Sequence, residues 1–309
     1  MYPYIIIDLG KQFRLGMYDI CLMIGILTCL ILYRVFADRQ KFKAKIQNFA
    51  LLTGIAAIGC GYYAAALVQT FYNWKAALGE NPEAKFLDFW GTGATFYGGL
   101  VGGVIIFIAI YFGIGALLFK NKENIHHFFP IANIAGAVIP LAHGIGRIGC
   151  LMAGCCHGKV CTAPQWYTFT FLKLYEDGSV KEFYAVPVQL LEAIFLFALA
   201  AVLLYRLIKN KPYNLPVYTV AYGVWRFFAE YLRADERGEG IIPFLSPSQQ
   251  TALLLIAVGV GVIFLEKYVR NYTAKCMAAE QVSAEQVSAE QIAQTQPSEE
   301  SHEQAQDQS

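Results

Sequence analysis

The sequence predicts an all-α integral membrane protein of about seven transmembrane helices, with its N-terminus outside and its C-terminus in the cytoplasm. Three observations predict it. The 309 residues are 56% hydrophobic and only 15% charged, against about 25% charged in a typical soluble domain. Uncharged runs longer than the roughly 20 residues a bilayer requires recur along the chain. The loops between those runs alternate in charge, and basic loops stay in the cytoplasm.

Taken in order, Met1–Gly16 is expected to lie as a short amphipathic segment on the outer interface. It lacks the basic region, apolar run and small-residue site of a cleavable signal. The spans follow as Ile20–Tyr33, Ile46–Trp74, Phe89–Phe119, Phe128–Gly146, Phe183–Tyr205, Leu215–Trp225 and Gly240–Leu265. Glu192 interrupts the fifth, and the sixth spans only by running through Arg226 and Glu230. Basic loops carry Arg34, Arg39, Lys41, Lys43 and Lys45, then Lys120 and Lys122, then Arg206, Lys209 and Lys211, then Lys267, Arg270 and Lys275. The intervening loops are acidic or mixed, with Glu80, Glu83 and Asp88, then Glu176, Asp177 and Glu182, then Asp235, Glu236 and Glu239. Trp166–Phe171 mixes aromatic and β-branched residues and suits a small hairpin in the second of these. Residues 1–272 therefore form a seven-helix membrane domain. Residues 273–309 are acidic and Gln-rich and repeat Val-Ser-Ala-Glu-Gln, the composition of a disordered or transiently helical cytoplasmic tail.

Polar residues inside the spans carry the chemistry. Arg147 closes an uncharged run in Ala142–Cys150, and an arginine at bilayer depth costs about 2.5–3.5 kcal/mol without a partner or a wet cavity. Glycines around it admit close approach of a group such as a phospholipid phosphate. His143 and Cys150 share its helix face. Tyr222, Arg226, Glu230 and Arg233 follow one another at spacings of four, four and three, which places them on one helical stripe. Arg226 and Glu230 form either an intrahelical ion pair or part of a second phosphate clamp, since guanidinium forks match phosphate. Gln189 and Glu192 share a face of the fifth span. Ser246–Gln249 reads as a helix cap. Gly99 and Gly103 make a small-xxx-small packing seam, with Tyr97 as an interfacial aromatic.

Four local patterns, in this order, resemble the bacterial prolipoprotein diacylglyceryl transferases. Phe96-Tyr97-Gly98-Gly99-Leu100 is similar to that family's Phe-His-Gly-Gly-Leu. Gly146-Arg147-Ile148-Gly149 is similar to the start of its Gly-Arg-x-Gly-Asn-Phe-x-Asn-x-Glu. Pro187–Glu192 is similar to its Pro-x-Gln-Leu-x-Glu. Tyr222–Arg233 is similar to its Tyr-Gly-x-x-Arg-x-x-x-Glu-x-x-Arg. The resemblance implies seven helices with the N-terminus outside. It also implies transfer of diacylglycerol from phosphatidylglycerol to a prolipoprotein cysteine, or to another thiol acceptor, at the outer face of the bacterial inner membrane. It assigns the phospholipid clamp to Arg147 and Arg226, supported by Glu230, Arg233, Gly98, Gly99, Gln189 and Glu192. The departures fall on the acceptor side: Cys150, Leu151, Ala153 and Cys155 replace the signature's Asn, Phe, Asn and Glu, and Tyr97 replaces a histidine.

The general base is open among Tyr97, His157 and a cysteine thiolate, so Cys150 and Cys155 are candidate catalytic residues with Tyr97, His157 and the two arginines. The cluster Cys150, Cys155, Cys156 and Cys161 also admits a disulfide from Cys161 to Cys155 or Cys156. A metal is not expected, because the spacing lacks the paired Cys-x-x-Cys of structural zinc. Neither a cofactor nor a nucleic-acid partner is expected. The alternative reading is a non-catalytic lipid- and thiol-binding membrane protein with a structural disulfide or metal-binding cysteine cluster.

Overall fold

The computed structural model describes residues 4–8, 12–79, 81–120, 123–174, 180–233, 242 and 244–295, with side chains between residues 16 and 275 except at 96, 97, 173, 174 and 180. Its contacts divide the chain into two units, Met1–Val260 and Gly261–Ser309. The helices are α1 (Met17–Arg39), α2 (Ala44–Leu78), α3 (Phe96–Ile108), α4 (Gly115–Leu118), α5 (Glu123–Ala153), α6 (Val188–Ile208), α7 (Asn214–Ala229) and α8 (Pro247–Thr295). A π-helical turn, Ala109–Ile114, joins α3 to α4. Among the described residues, six helical segments are long and apolar enough to cross a membrane, with α3, the π turn and α4 counting as one. Of the seven expected spans, the sixth falls short as α7, with 16 residues. At about 1.5 Å per residue it covers less than the roughly 30 Å of hydrocarbon.

Several boundaries differ from the sequence expectation, each for a local reason. In the segment expected to be amphipathic, residues 4–8 and 12–16 form antiparallel strands β1 (Tyr4–Asp8) and β2 (Gln12–Gly16), pairing Ile6 with Arg14, in keeping with the β-branched run Ile5-Ile6-Ile7. The third span starts at Phe96 instead of Phe89. Phe86–Phe89 is a short 3-10 turn, and Gly91 follows at φ +81°, a backbone region that favours glycine. The fifth starts after Pro187, because residues 180–185 are strand β5. The predicted hairpin beside Trp166 is present. Strand β4 (Phe169–Leu174) pairs antiparallel with β5 (Val180–Ala185), and β5 also pairs with β3 (Val160–Cys161). The acidic residues Glu80, Glu176, Asp177, Asp235, Glu236 and Glu239 lie outside the described residues. The C-terminal segment continues α8 as helix to Thr295.

The packing suits a lipid solvent. Leu22, Met23, Ile31, Leu52, Ile55, Leu67, Ile105 and Val202 are exposed, whereas Gln47, Thr53, Asn124, Asn133, Gln189, Glu192 and Arg226 are buried. With no hydrophobic force between helices in lipid, close contact of small residues drives association. A Cβ on Gly61 would come 2.9 Å from the Gly99 carbonyl, and one on Gly25 would come 3.0 Å from the Ala142 carbonyl. These contacts seat α2 on α3 and α1 on α5. The central helix is α5, 56% buried over its apolar window against 39% or less elsewhere.

An aromatic and aliphatic core, including Tyr33, Phe36, Ile46, Tyr111, Phe119, Ile134 and Leu207, occupies the end carrying the basic loops. There the π-helical turn places Tyr111 fully inside. Its hydroxyl donates to the Asn124 carbonyl at 2.8 Å, and the Asn124 amide donates back to the Tyr111 carbonyl at 3.2 Å. The C-terminal part of α5, the start of α6, the end of α7 and the start of α8 meet at the opposite end. Every polar constellation singled out by the sequence lies there.

Candidate active site

Three linked groups of side chains form the site. The first centres on Glu192, in the second turn of α6 and fully buried. Its Oε1 accepts from the Tyr222 hydroxyl at 2.8 Å and makes an ion pair with Arg147 Nε at 3.0 Å. His143 Nε2 stands 4.0 Å from the same oxygen, and His143 Nδ1 meets the Tyr218 hydroxyl at 3.0 Å. Because α5, α6 and α7 each contribute, one carboxylate ties three helices together. Pairing with Glu192 answers the insertion cost of Arg147. The Arg147 side chain still keeps 16% of its surface accessible, so its guanidinium is oriented without being sealed off.

The second group lies one helical turn further along α7. Arg226 Nη2 donates to Ser248 Oγ at 3.0 Å and pairs with Glu230 Oε2 at 2.9 Å. Ser246 Oγ donates to Glu230 Oε1 at 3.0 Å. Ser246 and Gln249 cap α8 reciprocally: the Gln249 N–H reaches Ser246 Oγ at 3.2 Å and the Ser246 N–H reaches Gln249 Oε1 at 3.1 Å. That is the capping box a Ser-x-x-Gln sequence predicts. Arg226 Nη1 is buried and bonds to nothing among the described residues.

The third group is the cysteine turn. Helix α5 ends at Ala153, and Gly154 adopts φ +69°. The N–H of Cys155 then returns to the Cys150 carbonyl at 3.2 Å, a left-handed helix stop. Cys156 follows at φ +60°, uncommon for a residue with a Cβ and the kind of local strain that collects at functional sites. These reversals bring the sulfurs of Cys150, Cys155 and Cys156 within 4.8 Å of one another. Gln189, at the start of α6, donates to the Cys155 carbonyl. The Gly158 N–H donates to the Val186 carbonyl at 2.8 Å and the Lys159 N–H to Leu232 at 3.3 Å. The turn is thereby held between α6 and the segment that follows α7. Thiols of Cys150 and Cys155 hydrogen-bonded to Cys156, with the Arg233 guanidinium beside it, hold the Cys156 thiol well below the ordinary thiol range.

Several expectations change. Arg233 does not continue the α7 stripe. The helix gives way to a 3-10 turn, Glu230–Leu232, and Arg233 takes extended backbone bridged to Gly158. Its guanidinium stands beside Cys156. No disulfide joins Cys161 to Cys155 or Cys156; all three are free, because β3 pairing sets Cys161 opposite Tyr184. His157 lies apart from the three sulfurs. Its ring packs edge-on to Phe183 at 4.9 Å, near Phe171, and Nδ1 contacts the Gly158 carbonyl. Gly98 and Gly99 face α2, where added Cβ atoms would meet Val68 and Ala65. Tyr97 opens α3, but its side chain lies outside the described residues. Sequence reasoning missed Tyr218, whose spacing of four before Tyr222 was the available signal. It also missed Ser248 as a partner of Arg226, having assigned that segment to capping alone.

Fold and site together define an integral membrane protein that places two arginines, each held by a carboxylate, at one end of its helices. The model of the prolipoprotein diacylglyceryl transferase family matches residues 4–265, and the chain belongs to that family of transferases. It is 32% identical to the phosphatidylglycerol–prolipoprotein diacylglyceryl transferase 2 of Clostridium perfringens, over 82% of this chain and 93% of the relative. It is 30% identical to the corresponding transferase of Clostridium tetani, over 81% and 93%. It is 28% identical to that of Francisella tularensis subsp. novicida, over 89% and 98%.

Proposed function

We propose that this protein transfers the diacylglyceryl group of phosphatidylglycerol to a cysteine thiol of a prolipoprotein. The transfer takes place at the outer face of the bacterial inner membrane. One observation carries the reading: Arg147, oriented by Glu192, is tied through Tyr222 to the helix that presents Arg226 one turn later. Tyr222 and Arg226, four apart, share one face of that helix, which supports a reading in which both arginines serve one headgroup. The acceptor sulfur attacks the glycerol carbon that bears the phosphodiester, a C–S bond forms, and the C–O bond breaks. Glycerol phosphate leaves with the electron pair. Two oriented guanidiniums stabilise the charge that develops on it, and they do so more strongly in a site shielded from water.

The charge of the four basic loops supports an N-terminus outside and a C-terminus in the cytoplasm. That orientation puts the polar end of the bundle on the extracytoplasmic side. Diacylglyceryl incorporation into a lipobox peptide from labelled phosphatidylglycerol, for wild type and for Arg147→Ala, tests the proposal. Transfer by wild type and its loss in the variant are expected. No transfer by the folded wild-type protein would leave a lipid-binding protein instead. Complementation of a transferase-depleted strain distinguishes the two in the cell.

A further inference from the structure

The acceptor half of the site has lost the asparagine, glutamate and histidine that the family's patterns carry and has gained three convergent sulfurs. We infer that Cys150, Cys155 and Cys156 hold a zinc-class thiophilic cation whose open fourth position takes the acceptor thiol. The inference rests on the transfer reading above for the role of the cation, and on geometry alone for its binding.

Zinc takes thiolates at about 2.3 Å, so sulfurs around a tetrahedral ion stand about 3.8 Å apart. All three sulfurs here already lie within 4.8 Å of one another, and small χ1 rotations close the difference. The linear sequence argued against a metal because the paired Cys-x-x-Cys spacing is missing. The two left-handed residues, Gly154 at +69° and Cys156 at +60°, supply by chain reversal what spacing does not. Gln189 fixes the Cys155 carbonyl, so the turn is built and held from α6. Three thiolates around a divalent ion leave one net negative charge, and the Arg233 guanidinium stands beside Cys156 to offset it.

Catalytic zinc sites keep three protein ligands and one open position. Cys150 is buried, while Cys155 is exposed, which leaves an approach from that side. Coordination deprotonates a thiol outright. The acceptor S–H would release its proton to solvent on binding the ion. Its sulfur, still nucleophilic, then attacks the glycerol carbon; C–S forms, C–O breaks, and the electron pair leaves on glycerol phosphate. No side-chain general base is needed, which accounts for a site that offers Tyr97 where the family pattern has histidine.

The test uses the full chain purified in detergent under reducing conditions. Zinc content is measured by atomic emission, and cobalt(II) serves as an optical probe. Wild type is expected to carry one equivalent of zinc and to show thiolate-to-cobalt charge transfer with tetrahedral d–d bands. Cys155→Ser and Cys156→Ser should weaken cobalt binding by about 100-fold or more, whereas Cys161→Ser should retain it. A lipobox peptide should shift the cobalt bands, and its Cys-to-Ser counterpart should not. Chelation should abolish transfer and zinc should restore it. Free thiols with no metal, a disulfide among the three by intact mass, or transfer indifferent to chelation would each overturn the inference while leaving the transfer reading intact. Metal binding without transfer would keep the cation site and sink the transfer reading.

Discussion

Glu192→Gln is the sharpest perturbation of the arginine site. The amide keeps the shape of the side chain and removes the charge opposite Arg147. Glu192 is fully buried, its Oε1 lies 3.0 Å from Arg147 Nε, and Tyr222 donates to the same oxygen at 2.8 Å. Removing one partner of a buried ion pair costs about 3–5 kcal/mol, because the other charge is left uncompensated. Arg147 keeps 16% of its side-chain surface, and solvent screening through that opening places the cost near the lower bound, at about 3 kcal/mol. At about 1.4 kcal/mol for each factor of ten, that loss in the transition state lowers kcat/KM by about 100-fold.

The assay is diacylglyceryl transfer from phosphatidylglycerol to a lipobox peptide, with thermal stability in detergent as the control for folding. If Glu192 acts by orienting Arg147, the two substitutions are not additive. Glu192→Gln placed on Arg147→Ala should then cost less than about twofold more. A folded Glu192→Gln protein within threefold of wild type, or full additivity of the two changes, would refute the reasoning.

Tyr222→Phe removes one hydrogen bond to the carboxylate while leaving the ion pair, so kcat/KM should fall by about 10-fold, less than for Glu192→Gln. Arg226→Ala uncouples Ser248 and leaves Glu230, its side chain 10% accessible, without the Arg226 charge; transfer should drop by more than about 100-fold, and Arg226→Lys should recover only part of it, since an ammonium lacks the guanidinium fork. His157→Phe preserves the aromatic packing with Phe171 and Phe183, so turnover should stay within threefold; a large loss with the fold intact would restore His157 as a candidate base. Gly61→Val drives a branched side chain into the Gly99 carbonyl, 2.9 Å from the first added carbon, and should lower stability by about 1–3 kcal/mol in a thermal melt.

Hydropathy and short-range spacing were enough to read the helical membrane class, most of the long apolar helices, the Ser246–Gln249 cap and, as one of two alternatives, the Arg226–Glu230 pair. Each depends on residues within a few positions of one another, where helical periodicity alone decides which side chains meet. The choice of Glu192 as the partner of Arg147 is different. The two lie on separate helices, and only the packing of α6 on α5 sets their distance. The same holds for Arg233. Its spacing continued the α7 stripe, but the chain left the helix at Ala229 to bridge Gly158. Backbone dihedrals at Gly154 and Cys156, which no periodic rule predicts, drew Cys150, Cys155 and Cys156 together and left Cys161 in a strand. Local pattern thus settled which segments form long apolar helices. Long-range packing and two left-handed residues settled which polar groups share a site.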